Sequence, residues 1–117
     1  MGTVRHILQK KGHEVLSVEP TATVYYALEI MVEKNVGALL VTDKEHFAGI
    51  FTERDYARKV ILKGKASRET LVSEIMSEHP ATVTPDDTVE DCMKLMTAKY
   101  IRHLPVVDNG NLVGLVS

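Results

Sequence analysis

The sequence contains an internal repeat. Shifting the chain by 65 residues places residues 18–52 on residues 83–117 without a gap, and ten of the 35 aligned positions are identical. The matched positions include prolines, glycines and apolar residues, all in one register. A repeat of this length is typical of a duplicated structural unit, so the two copies are expected to fold alike.

Each copy is predicted to begin with a short strand and a helix. The strands, at 15–18 and 81–84, stop near a proline, which has no N–H with which to extend a β ladder. A threonine follows, Thr23 or Thr88, whose hydroxyl can cap a helix N-terminus. Apolar residues then recur at helical spacing. In the two copies these are Val24, Ala27, Leu28, Met31 and Val32, and Val89, Cys92, Met93 and Met96.

Two further strands are expected in each copy, at 38–42 and 47–51 and at 103–107 and 112–116. Asp43 and the Asp-Asn-Gly sequence at 108–110 provide residues that favour turns. The first copy continues into a helix over 54–63 that ends at Gly64, with Tyr56, Ala57, Val60 and Ile61 on one face. Residues 71–76 form a short helix, and residues 3–8 are its counterpart before the first copy.

The predicted fold class is α+β, with two βαββα units packed as a pseudo-twofold pair. One such unit alone leaves an apolar face uncovered, and packing the two copies together would bury it. The expected divisions are residues 1–63 for the first repeat with its N-terminal helix, 64–70 for a linker, and 71–117 for the second repeat without a closing helix. The cleft between the copies is the expected place for function.

The charge and the single cysteine exclude several classes of function. With 14 basic and 16 acidic residues, the formal charge of −2 gives no reason to expect binding to nucleic acid or to an anionic membrane. The apolar stretches fall short of the ~18 residues that span a bilayer. Cys92 has no partner for an internal disulfide and no secretory signal is evident, so a reducing, cytoplasmic location is expected.

Thr52 and Asp55 form a Thr-x-x-Asp motif where a strand meets a helix. A carboxylate can accept hydrogen bonds from both vicinal hydroxyls of a ribose, and a threonine hydroxyl at a helix N-terminus suits a phosphate. Alternatively, Thr52 or Glu53 merely caps the helix and Asp55 lies in its first turn because negative charge is favoured there.

Five segments resemble the tandem cystathionine-β-synthase-type (CBS) domains of a Bateman module. They are Val-Glu-Pro-Thr-Ala-Thr-Val (18–24), Gly-Ile-Phe-Thr-Glu-Arg-Asp (49–55), Val-Thr-Pro-Asp-Asp-Thr-Val (83–89), Arg-His-Leu-Pro-Val-Val-Asp (102–108) and Leu-Val-Gly-Leu-Val-Ser (112–117). The resemblance implies an adenosine-containing ligand (AMP, ADP, ATP, or sometimes NAD or S-adenosylmethionine) in the cleft. It also implies a homodimer, with no metal or catalytic residue.

The same resemblance assigns residues to two sites. In the main site, which includes Thr52, the Asp55 carboxylate meets the ribose, and Arg102 with His103 meets the phosphate. An apolar slot for adenine would be lined by Ala81, Thr82, Ile101 and Pro105. The alternative for these residues is ordinary sheet core, and for Ile101 the two interpretations have equal weight. A weaker second site would use Ser17, Val36, Gly37, Ala38 and Ser117, without phosphate-facing cations and without an aspartate three residues after Ser117.

No other pattern predicts chemistry. The histidines His6, His13, His46 and His79 lack metal-ligand spacing, Cys92 is expected to be buried, and no phosphate-binding GxGxxG or Walker loop is present. The sequence thus predicts a nucleotide-sensing regulatory module. The alternative is a homodimerisation or scaffold domain with a degenerate, non-binding cleft; an enzyme is a distant third, because no nucleophile–base pair is evident.

Overall fold

The chain forms two compact units, which follow the repeats only in part. The computed structural model describes residues 2–12 and 15–117. Residues 16–79 form the first unit, and the second combines the N-terminal residues up to 15 with residues 80–117. Both units contain helices and strands, as expected for the α+β class.

The first unit is built on a three-stranded sheet in the order β1-β2-β3. Strand β1 (Ser17–Val18) is parallel to β2 (Ala38–Asp43), which is antiparallel to β3 (His46–Thr52). The β2–β3 turn places Lys44 and Glu45 at φ values of 50° and 71°, the left-handed conformation that a tight hairpin requires. The predicted strands are therefore confirmed, with β1 shorter than expected.

Helix α2 (Val24–Lys34) begins at the predicted cap, because the Thr23 side chain accepts a hydrogen bond from the Tyr26 N–H at 3.1 Å. It ends at Asn35, whose φ of 54° is the left-handed conformation common at helix C-termini. Val24, Ala27 and Met31 are buried in the core of the unit. Val32, predicted on the same face, is 82% exposed, so that assignment was wrong.

The helix predicted over 54–63 has two parts. Helix α3 (Glu53–Tyr56) leads directly into a π-helix (Ala57–Ile61), in which the Leu62 N–H donates to the Ala57 carbonyl five residues earlier. The wider turn changes which side chains face inward. Val60 is buried as predicted, whereas Ala57 and Ile61 are exposed, so the expected apolar face was wrong at those two positions.

The segment after Gly64 packs on the first unit. The Thr70 hydroxyl is buried and donates to the Ala66 carbonyl, and the Arg68 guanidinium lies 4.0 Å from the centre of the Tyr25 ring. Helix α4 (Val72–Ile75) follows, and Val72 and Ile75 join the same core. Residues 64–79 are thus part of a folded unit, whereas the sequence suggested a polar linker over 64–70.

The second unit has a smaller sheet. Strand β4 (Leu104–Asp108) is antiparallel to β5 (Asn111–Val116), and the strand predicted over 81–84 is reduced to one bridge between Val83 and Val106. Pro85 lies just beyond and has no N–H to extend the ladder. Helix α5 (Val89–Lys99) is capped by Thr88 as predicted and buries Cys92, but Met93 is 58% exposed, contrary to its predicted place in the core.

Helix α1 (Val4–Lys11) belongs to the second unit, although the sequence placed it with the first repeat. Val4 and Leu8 pack in the cluster that contains residues of β4 and β5. The approach is close at Gly114, where an added Cβ would lie 2.7 Å from a Leu8 methyl carbon. The glycine therefore allows α1 to lie directly against β5.

Candidate functional site: the Asp55 carboxylate

The Thr-x-x-Asp motif forms a capping box where β3 meets α3. Thr52 Oγ1 accepts from the Asp55 N–H at 3.1 Å, while Asp55 Oδ2 accepts from the Thr52 N–H at 3.0 Å and from the Thr52 hydroxyl at 3.1 Å. These reciprocal bonds satisfy backbone groups that a helix end otherwise leaves without partners. The capping role weighed from the sequence is therefore present in the structure.

The other carboxylate oxygen is held by two more side chains. Asp55 Oδ1 accepts from the Ser77 hydroxyl at 3.0 Å and lies 3.0 Å from Lys59 Nζ. Lys59 also donates to the Ile75 carbonyl at 3.1 Å. Asp55 is only 5% exposed. Hydrogen bonds and an ion pair to its two oxygens therefore fix the orientation of the carboxylate in the first unit.

The motif lies beside backbone that the sequence assigned to the weaker site. Ala38 pairs with Thr52 across β2 and β3, and the Glu53 N–H donates to the Gly37 carbonyl at 3.1 Å. Ala38 is buried and Val36 is half-buried, whereas Ser17 is exposed. Gly37 and Ala38, predicted for a different site from Thr52, are thus next to it in the first unit.

The predicted phosphate-binding residues lie in the second unit, before β4. Arg102 is exposed, and His103 Nδ1 lies 2.9 Å from the Ser117 hydroxyl, an interaction whose donor depends on the histidine tautomer. The structure therefore brings together His103 and Ser117, which the sequence placed in different sites.

The residues of the predicted adenine slot differ in burial. Ala81 and Ile101 are partly buried against the core of the second unit, and the Pro105 side chain is fully buried in β4. Thr82 is exposed. The core interpretation considered for these residues thus describes Pro105, while Thr82 keeps surface that a ligand could contact.

Electrostatic shifts occur at two groups outside the motif. Hydrogen bonds from the Thr88 N–H and hydroxyl lower the pKa of Asp91 in the second capping box, and Lys94 lowers it further. Burial raises the pKa of the Cys92 thiol, with the charges of Asp87 and Asp91 adding to the effect. A thiol held in its neutral form is a poor nucleophile.

Within residues 2–12 and 15–117, no group of three or more histidine, cysteine, aspartate or glutamate side chains could hold a metal ion. His13, one of the histidines considered from the sequence, lies outside those ranges. Among the same residues, no helix combines the length and apolar character needed to cross a membrane.

The family model for the CBS domain matches the chain twice, over residues 4–62 and 72–117. The chain belongs to the CBS-domain family. The resemblance that the sequence motifs indicated is thereby confirmed, and so is the α+β fold class with two CBS repeats. CBS-domain pairs are generally regulatory and ligand-binding.

Known CBS-domain proteins share this fold over nearly the whole chain. The chain is 40% identical to CBS domain-containing protein CBSX3, mitochondrial, of Arabidopsis thaliana, covering 98% of itself and 60% of that relative. A solved protein with CBS domains from Burkholderia ambifaria, assigned to signal transduction, is 47% identical with a TM-score of 0.95; the match covers 98% of this chain and 87% of that one. A hexameric CBS-CP12 protein from bloom-forming cyanobacteria is 30% identical with a TM-score of 0.86, covering 98% and 63% of the two chains.

Two partners of Asp55 in this CBS-domain protein were not predicted. Lys59 follows Asp55 by four residues, a spacing that commonly pairs opposite charges on a helix, so the sequence carried a signal for it. Ser77 is 22 residues away from Asp55 and is joined to it only by the fold of the intervening segment. No local pattern indicates that contact.

Proposed function

We propose that this CBS-domain protein is a non-catalytic regulatory module that binds an adenine nucleotide of the AMP, ATP or NAD class, with the ribose hydroxyls on Asp55. One observation carries the proposal: the Asp55 carboxylate is fixed by its own capping box at the end of β3 in a chain with two CBS domains. A fixed anion loses little freedom when it accepts a hydroxyl pair.

The exposure of Arg102, the residue predicted to bind the phosphate, also supports the proposal. Arg102 is exposed, so its planar guanidinium is accessible to phosphate oxygens. A regulatory module responds to such a ligand because a ligand shifts a conformational equilibrium by its differential affinity for the two states.

Calorimetric titration of AMP, ATP and NAD into the purified protein tests the proposal. Binding of at least one nucleotide, with adenosine retaining part of the affinity, is the expected result. Absence of heat with all three ligands, in a sample with a cooperative melting transition, would reject nucleotide binding. Mass spectrometry of molecules released from freshly purified protein identifies which nucleotide the protein carries.

An Arg102→Gln variant tests the phosphate contact. AMP affinity should fall by a factor of about ten to one hundred, since one charge-assisted contact is worth roughly 1.5–3 kcal/mol. Adenosine, which has no phosphate, should bind as before. Arg58→Gln is the matched control, because Arg58 is an exposed arginine outside both predicted sites. Equal losses in both variants would indicate a general charge effect.

A second candidate is a homodimerisation or scaffold domain that has lost ligand binding. The observation that favours it is the saturation of Asp55, whose oxygens already accept from Thr52, Ser77 and Lys59. A stable homodimer by light scattering, with no melting shift in millimolar nucleotide, would support this candidate, because a bound ligand raises the melting temperature.

A further inference from the structure

We infer that Lys59 is an internal competitor for the ribose: its ammonium group occupies an acceptor position on Asp55 that a ligand hydroxyl needs. This inference rests on the proposed function. It adds to the site a residue that lowers the affinity for ribose, and it depends on contacts within the first unit alone.

The donors around Asp55 leave no acceptor position open. A carboxylate offers about four lone-pair positions. Oδ2 accepts from the Thr52 N–H and hydroxyl, and Oδ1 accepts from the Ser77 hydroxyl and from Lys59 Nζ. A ribose hydroxyl can therefore bond to Asp55 only after one of these donors has left.

Lys59 is the donor that leaves at the lowest cost. Its side chain is 43% exposed, so water can solvate the ammonium once it is released. Thr52 is held by the reciprocal bonds of the capping box. Ser77 is held by two backbone hydrogen bonds to Ile50, with N···O distances of 2.9 and 3.0 Å. If either the Thr52 or the Ser77 hydroxyl left Asp55, a partly buried group would lose its hydrogen-bond partner, which is costly.

Release of Lys59 also affects the segment that leads to the second repeat. The same ammonium donates to the Ile75 carbonyl at the end of α4, so displacement frees that carbonyl as well. Ribose binding would thus remove one of the contacts that hold residues 72–77 to the first unit. The readout of this effect is amide hydrogen exchange at Met76 and Ser77.

Lys59→Met tests the competition, with adenosine as the probe because it carries the ribose and lacks a phosphate. The variant removes the competing donor while retaining an unbranched apolar stem. Adenosine affinity by calorimetry should rise roughly two- to five-fold, the range expected for a partly exposed ion pair. Lys63→Met is the matched control, since Lys63 is exposed, lies one helical turn later and makes no contact with Asp55; its affinity should equal that of the wild type.

The outcomes separate this inference from the proposed function. If the wild type binds adenosine and Lys59→Met binds equally well or more weakly, with an unchanged melting transition, Lys59 does not compete and the inference fails alone. If neither protein binds adenosine or AMP, the proposed function fails as well. Binding by Lys59→Met alone would support both. Should Lys59→Met not fold, Lys59→Gln replaces it, with a smaller gain expected because a neutral amide remains a weak donor.

Discussion

The Ser77 hydroxyl lies 3.0 Å from Asp55 Oδ1, which joins the end of the segment between the repeats to the capping box of the Thr-x-x-Asp motif. The backbone bridge between Ser77 and Ile50 runs beside this contact. Asp55 of the motif therefore has a structural partner that follows it by 22 residues.

Asp55→Asn should destabilise the first unit. The asparagine amide has the volume of the carboxylate but lacks its charge, and it places an N–H₂ group beside the donors that now bond to Asp55. The free energy of unfolding should therefore fall by about 2 kcal/mol in urea titrations. Asp91→Asn is the control, because Asp91 holds the equivalent capping-box position in α5 but is exposed. A loss as large for Asp91 as for Asp55 would show that Ser77 and Lys59 contribute nothing beyond capping.

Thr88→Ala should raise the pKa of Asp91 part of the way toward its ordinary value, because the variant keeps the backbone N–H bond that is the larger cause of the lowered pKa and removes the hydroxyl that is the second cause. A lowered folded-state pKa contributes stability above the unfolded-state pKa, and this contribution is lost as pH falls through the folded-state pKa. The variant should therefore show less loss of stability on acidification over that window. Carboxyl carbon NMR of Asp91 measures the shift, and Thr23→Ala, in the helix without an acidic third residue, should leave the Asp91 titration unchanged.

Gly49→Ala should destabilise the first unit through a direct clash. A Cβ at this position would lie 2.5 Å from the Ser77 carbonyl oxygen, and that oxygen is fixed by its bond from the Ile50 N–H. A loss of about 1–3 kcal/mol is expected from thermal or urea unfolding. Gly2→Ala serves as the control, because its nearest neighbour would be at an ordinary 3.6 Å; equal effects of the two changes would contradict the close approach.

Cys92 should react slowly with thiol reagents in the folded protein. The residue is 3% exposed, and burial raises its pKa, so little thiolate is available at neutral pH. Labelling with an aromatic disulfide reagent should be at least ten-fold faster in urea than in buffer, with the same protein as its own control. Equally fast labelling in both conditions would mean that α5 opens readily.

Sequence patterns predicted local features well because short-range chemistry fixes them. The caps at Thr23, Thr52 and Thr88 depend on neighbours three residues away, and all three are confirmed. The π-helix was missed because apolar spacing assumes an ordinary helix, and one wider turn moved Ile61 outward. The placement of α1 in the second unit was missed for a different reason. Packing decides which of two similar repeats a helix joins, and local sequence patterns carry no signal for it.

For the candidate site, the sequence identified Thr52 and Asp55 but not their full surroundings. Ser77 has no sequence signal, because its contact arises from the path of residues 64–79 over the first unit. The ligand roles of Arg102, His103 and the adenine-slot residues remain predictions, and the Arg102→Gln titration tests the first of them.

The placement of α1 has a consequence for the order of folding. Residues 16–79 are contiguous, so the first unit is complete once residue 79 has been synthesised. The second unit needs Leu8 against Gly114, two residues near opposite ends of the sequence, and closing so long a loop is slow. During synthesis Val4 and Leu8 therefore lack their partners in β5 until that strand has been made, and over this interval α1 presents an apolar surface to chaperones and to aggregation.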